Sequence, residues 1–95
     1  MRLYHMTSPQ AAAEIYPNGP FISKEADGSV YFSDRVDGYA AGYGEAWVCV
    51  DVPELIAELD DEFPDGELHY RINLQDLRPE YIIGTSAGSE RRKHG

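Results

Sequence analysis

Seven polar residues at strand-like positions can do chemistry in this chain: His5 and Thr7 early, Tyr31 and Ser33 in the middle, and Glu67, His69 and Arg71 late. Imidazole, hydroxyl and carboxylate groups bind by hydrogen bonding, move protons and stabilise developing charge. Within each set the residues lie two apart, so on an extended chain each set shares one face. Three standard motifs are missing: the chain contains no GxxxxGK, GxGxxG or HExxH. Cys49 lies inside an apolar run and reads as a buried structural thiol rather than a nucleophile. Three histidines and this one cysteine, widely spaced, make no zinc pattern and allow no internal disulfide, so no metal is expected.

The elements that must position these residues follow from period and punctuation. Arg2 to Met6 alternates as a strand, with Leu3 and His5 on one face and Tyr4 and Met6 on the other. Thr7 or Ser8 can cap a helix with Pro9 at its first position and Ala11 to Ile15 as its body, stopped by Pro17, Asn18 and Gly19. Phe21 to Ser23 suits a short strand, and Val30 to Ser33 a second one after the Ala26-Asp27-Gly28 turn. Asp34 to Glu45 predicts a short helix, with Tyr39, Ala40, Ala41 and Tyr43 as its packing face, despite Gly38, Gly42 and Gly44. Ala46 to Val52 is a nearly continuous apolar run suited to a strand buried on both faces. Pro53 opens another helix through Leu59, followed by a polar loop from Asp60 to Gly66. Glu67 to Asn73 alternates again, Asn73 caps the turn Leu74 to Leu77, and Tyr81 to Ile83 is a last strand. Tyr39, Tyr43, Trp47 and Phe63 read as core aromatics.

The expected fold is α+β: a small, strongly twisted sheet of about five or six short strands with two or three short helices. It spans residues 1–84, with 85–95 as a mobile polar tail. Ninety-five residues make a single domain, and 42% hydrophobic with 26% charged residues is a globular composition. A formal charge of −9 repels phosphate backbones and argues against nucleic-acid binding through a basic face. Asp51 to Glu67 holds eight acidic residues and no basic one. That run is a solvated surface or, on a sharper reading, a DNA-mimicking or protein-docking face. No apolar run reaches membrane-span length and the N-terminus lacks a signal-peptide core, so a soluble, cytoplasmic protein without a membrane partner is expected.

The order of short motifs carries a resemblance. Leu3-Tyr4-His5-Met6-Thr7-Ser8, an alanine-rich helix, a Gly-x-Phe turn, Val30-Tyr31-Phe32-Ser33, and Gly42-Tyr43-Gly44-Glu45 before an apolar strand resemble the ADP-ribosyltransferase fold of the His-Tyr-Glu type. The chain is most similar to the small bacterial rifampicin ADP-ribosyltransferases, with further echoes in Phe63-Pro64-Asp65-Gly66, Tyr70-Arg71 and Ile82-Ile83-Gly84. The resemblance covers residues 3 to 84 and implies transfer of ADP-ribose from NAD to a protein, nucleic-acid or small-molecule acceptor with loss of nicotinamide. It implies that His5 bonds the adenosine ribose while the backbone beside it, at Met6 and Thr7, holds the nicotinamide amide. It implies that Tyr31 stacks on the nicotinamide ring and that Ser33 and Thr7 give supporting hydrogen bonds. Tyr39 or Tyr43 would line the pocket. The acidic member of the triad is Glu67, or Asp60 or Asp61 as in the rifampicin-type enzymes. Met6 stands where the family commonly has glycine, bordering the amide site. Arg2, Lys24, Arg35 and Arg71 are the candidate cations for the pyrophosphate. Two other readings accompany the enzyme: an NAD or ADP-ribose binder without turnover, and an acidic interaction module.

Overall fold

Leu3 and Met6 are the buried positions of the first strand, β1 (Arg2–Thr7), in a computed structural model that describes residues 1–17, 19–22 and 27–86. Ser8 ends the strand and caps helix α1 (Pro9–Ile15), its Oγ accepting the Ala11 amide at 3.1 Å while proline occupies the helix start. Then follow β2 (Ser29–Ser33), β3 (Ala46–Asp51), β4 (Glu58–Glu62), β5 (Leu68–Asn73) and β6 (Ile82–Thr85). These form one antiparallel six-stranded sheet in the order β4-β5-β2-β1-β3-β6, an α+β architecture. On one face Leu3 meets Val50 and Val30 meets Ile72 across the ladders, and Phe32 and Val48 join them over Ala12 and Ile15 of α1. Each such side chain contributes about 1.5–3 kcal/mol on full burial.

The sheet is two triplets with a narrow seam. β1 pairs with β3 along its whole length, from Arg2–Asp51 to Thr7–Ala46, and β2 pairs with β5 from Ser29–Asn73 to Ser33–His69. Between β1 and β2 the register has a single pair, Tyr4 with Ser33. The triplets β1-β3-β6 and β4-β5-β2 are therefore joined in register at that one pair.

Several expected elements are corrected. α1 is the single α-helix among the described residues; the short helix expected within Asp34 to Glu45 is a 3-10 turn, Tyr39–Tyr43. The helix expected from Glu54 to Leu59 is a 3-10 turn, Glu54–Ile56, and Leu59 to Glu62, read as helix end and loop, belong to β4. Pairing with β5 decides this: Glu58 lies opposite Arg71 and Leu59 opposite Tyr70, and backbone ladder bonds override a composition that favours neither state. Phe21 and Ile22 form no strand; Phe21 is buried on His5 and Phe32, while Ile22 is 71% exposed, and Ser23 lies outside the described residues. The sheet also runs past residue 84, where the tail was expected to begin. Thr85 pairs with Val48 and donates its hydroxyl to the Trp47 carbonyl at 2.9 Å, and Ser86 Oγ accepts the Trp47 amide. The rest of the expected tail, 87–95, lies outside the described residues. Among the described residues no helix is long and apolar enough to cross a membrane.

Candidate functional site

Where β1 and β2 part beyond the Tyr4–Ser33 pair, a cleft of about 460 Å³ is lined by Tyr4–Thr7 of β1 and Ser29–Ser33 of β2. Its other walls come from Ala40 and Tyr43 of the 3-10 turn, Asp60 and Asp61 of β4, Phe63, and His69 of β5. Six of the expected site residues, His5, Met6, Thr7, Tyr31, Ser33 and Tyr43, thus line one cavity of a size that takes small-molecule ligands. A second depression, about 430 Å³ beside Glu58, Arg71, Asn73 and Asp76, contains none of them.

His5 ties the two lips together. Its Nδ1 lies 2.9 Å from the Tyr31 carbonyl, which can only accept, so Nδ1 carries the proton. The ring is wedged against Phe21 edge-on at 5.5 Å and against Phe32 at 5.6 Å, which fixes its orientation. Tyr31 lines the cleft and is 37% exposed. Met6 also borders the cleft but is almost fully buried, so its thioether is wall rather than obstruction. Tyr39 and Tyr43, expected in the core, are exposed; Tyr39 stacks on Phe63 at 4.7 Å, and Trp47 is half-buried, edge-on to Tyr4.

Glu67 behaves differently from either expectation for it. It is fully buried, neither a solvated carboxylate nor a cleft-lining one. Ser33 Oγ and His69 Nε2 each donate to Oε2 at 2.7 Å, the Ala40 amide donates to Oε2 at 3.2 Å, and the Tyr39 amide donates to Oε1. Burial alone would raise its pKa. The donors from Ser33, His69, Ala40 and Tyr39 outweigh that and hold it at about 2, below the ordinary 4.5. The backbone amides reach the carboxylate because residue 38 is glycine: a Cβ there would collide with Oε1. A second close approach holds the 3-10 turn to β1, since a Cβ on Gly44 would strike the Thr7 carbonyl. Sequence reasoning missed this buried hub. Its signal was the glycine immediately before Tyr39-Ala40, which leaves two amides in a row free to approach a carboxylate.

The remaining charges sort by partner. Arg35 pairs with Asp37 at 2.9 Å and Asp65 at 3.6 Å, and Arg71 with Glu58 at 2.8 Å and Asp60 at 3.8 Å. Arg2 is exposed on β1, and Lys24 lies outside the described residues. Asp61 has no ion-pair partner among the described residues. Burial pushes the Cys49 thiol up, in keeping with an inert group. Among the described residues no cluster of three or more His, Cys, Asp or Glu is placed to hold a metal ion. Compared with protein-family models, curated proteins and solved structures, the chain matches none.

Proposed function

We propose that the cleft between β1 and β2 binds NAD and that the chain is an ADP-ribosyltransferase, releasing nicotinamide as ADP-ribose passes to an acceptor. The observation that carries this reading is the convergence of His5, Met6, Thr7, Tyr31, Ser33 and Tyr43 with Asp60 and Asp61 on one cavity. In it, Tyr31 offers its exposed ring to the nicotinamide, and the lip tied by His5 aligns the ribose. The carboxylate that stabilises positive charge building on the ribose as the glycosidic bond breaks is Asp61, which lines the cleft and has no ion-pair partner among the described residues. Asp60 shares its charge with Arg71, and Glu67 is sealed away from any ligand. The reduced, unpaired Cys49 fits a cytoplasmic setting.

Proton NMR of the protein with NAD, followed over hours, tests binding and cleavage in one sample. The expected result is broadening of NAD signals followed by the appearance of released nicotinamide. Tyr31→Ala should weaken binding about ten-fold, and Asp61→Asn should stop release while NAD still binds. Unperturbed NAD signals at millimolar ligand would overturn the reading. All five residues of β4 are exposed and four are acidic, which favours a second reading, an acidic module that docks a basic protein. Salt-sensitive capture of such a partner, with NAD ignored, would select it.

A further inference from the structure

His69 is held as a histidine prepared to take up a proton. Nε2 faces Glu67 Oε2 at 2.7 Å, and a carboxylate kept ionised by three other donors can only accept, so the ring proton sits on Nε2. Nδ1 therefore carries the lone pair. Among the described residues Nδ1 has no hydrogen-bond partner, and no buried side-chain nitrogen or oxygen is left without one. Nδ1 consequently lies on the accessible side of the ring, and His69 lines the cleft. Phe63 packs on the ring at 4.3 Å and prevents it from turning. A carboxylate that sets the tautomer of an imidazole and leaves its second nitrogen facing a cavity is the arrangement used to make histidine a general base.

We infer that His69 is the general base of the cleft and Glu67 its positioning residue. This inference rests on the NAD reading above. As the acceptor's O–H or N–H attacks C1′ of the nicotinamide ribose, its proton passes to His69 Nδ1 and a new bond to C1′ forms. The C1′–N bond breaks with its electron pair remaining on the nicotinamide nitrogen, and Nδ1 later returns the proton to water. The products are the ADP-ribosylated acceptor, nicotinamide and one proton. The charged or titratable groups around the ring are Glu67 on its Nε2 side, Asp61 directly opposite on β4, and Asp60, His5, Tyr4, Tyr31 and Tyr43 around the cleft; β2 presents the neutral Ser33.

The test is nicotinamide release from NAD by the full chain between pH 5 and 9, with water as the acceptor. Wild type should show a rate that rises with pH, as a base-assisted step does. His69→Gln should be about 100-fold slower and lose that rise, while NAD still saturates it. Glu67→Gln should release the ring tautomer, so that the nitrogen-15 shifts of His69 show the proton shared between Nε2 and Nδ1; a loss of stability alone would leave it on Nε2. Release by His69→Gln within about three-fold of wild type would overturn the inference and leave the NAD reading standing. Wild type that leaves NAD uncleaved would overturn both. Should His69→Gln fail to fold, the nitrogen-15 shifts of His69 in the wild type decide: a proton on Nε2 at neutral pH is expected, and a proton on Nδ1 would overturn the assignment.

Discussion

Across the core, both triplets present the same kind of surface, with Leu3, Val48 and Val50 from one and Val30, Phe32 and Ile72 from the other. On the opposite face they differ. In β1-β3-β6, Tyr4 lies beside Cys49 and Met6 beside Trp47, an apolar and aromatic lining. In β4-β5-β2, Ser33 lies beside His69 and Tyr31 beside Arg71, with Glu67 buried beneath and Arg71 reaching out to Glu58 and Asp60. One ladder geometry thus carries two kinds of cohesion. The apolar face owes its stability to area removed from water, which does not depend on proton concentration. The polar face depends on a single carboxylate remaining ionised. The cleft opens along the border between them, with one lip from each triplet.

The largest effect that would break this contrast is expected from Glu67→Ala. It leaves two backbone amides, Ser33 and His69 without their acceptor, and urea unfolding at pH 7 should show a loss of about 3–5 kcal/mol. Leu3→Ala, at a fully buried site of the apolar triplet, should cost about 3 kcal/mol by the same measurement. Acid then separates the two. Glu67 titrates at about 2 in the folded chain against an ordinary 4.5, so its contribution, roughly 3 kcal/mol, is complete above about pH 4.5 and disappears as pH falls toward 2. The deficit of a Glu67→Gln variant should therefore narrow over that window, whereas the Leu3→Ala deficit stays constant. A Glu67→Gln deficit that is equal at pH 3 and pH 7 would show that the hub acts through shape rather than charge. The smallest effect is expected from Arg71→Met, whose ion pairs to Glu58 and Asp60 are exposed to solvent: the urea midpoint at physiological salt should not move. A clear drop there would extend the charge dependence of this triplet to its surface.

Much of the fold was legible because burial leaves a trace in residue order. β1, β2 and β5 alternate, β3 is an apolar run, and Ser8 and Asn73 stand where the structure places caps, with Asn73 Oδ1 accepting the Gln75 amide at 2.9 Å. β4 left no such trace. All five of its residues are exposed, so neither period nor hydrophobicity marks it, and its strand state comes from the backbone of β5. The cleft was legible in outline, since His5, Met6, Thr7, Tyr31, Ser33 and Tyr43 were singled out by type and order and line one cavity. The position of Glu67 was not. Alternation places it with His69 and Arg71, yet whether that face meets water depends on where the Tyr39–Tyr43 turn settles, a contact made across 27 residues to Ala40.

The edge formed by β4 has a consequence for crowded solution. An outer strand offers an open row of backbone donors and acceptors, and two copies aligned edge to edge would extend one sheet into the next. Glu58, Asp60, Asp61 and Glu62 would then face their counterparts across a gap of about 5 Å, and that like-charge repulsion opposes edge-to-edge pairing. Charge on the edge and charge in the buried Glu67 hub thus lie on the same triplet of strands. Neutralising the four acidic side chains of β4 by substitution should therefore favour edge-to-edge self-assembly.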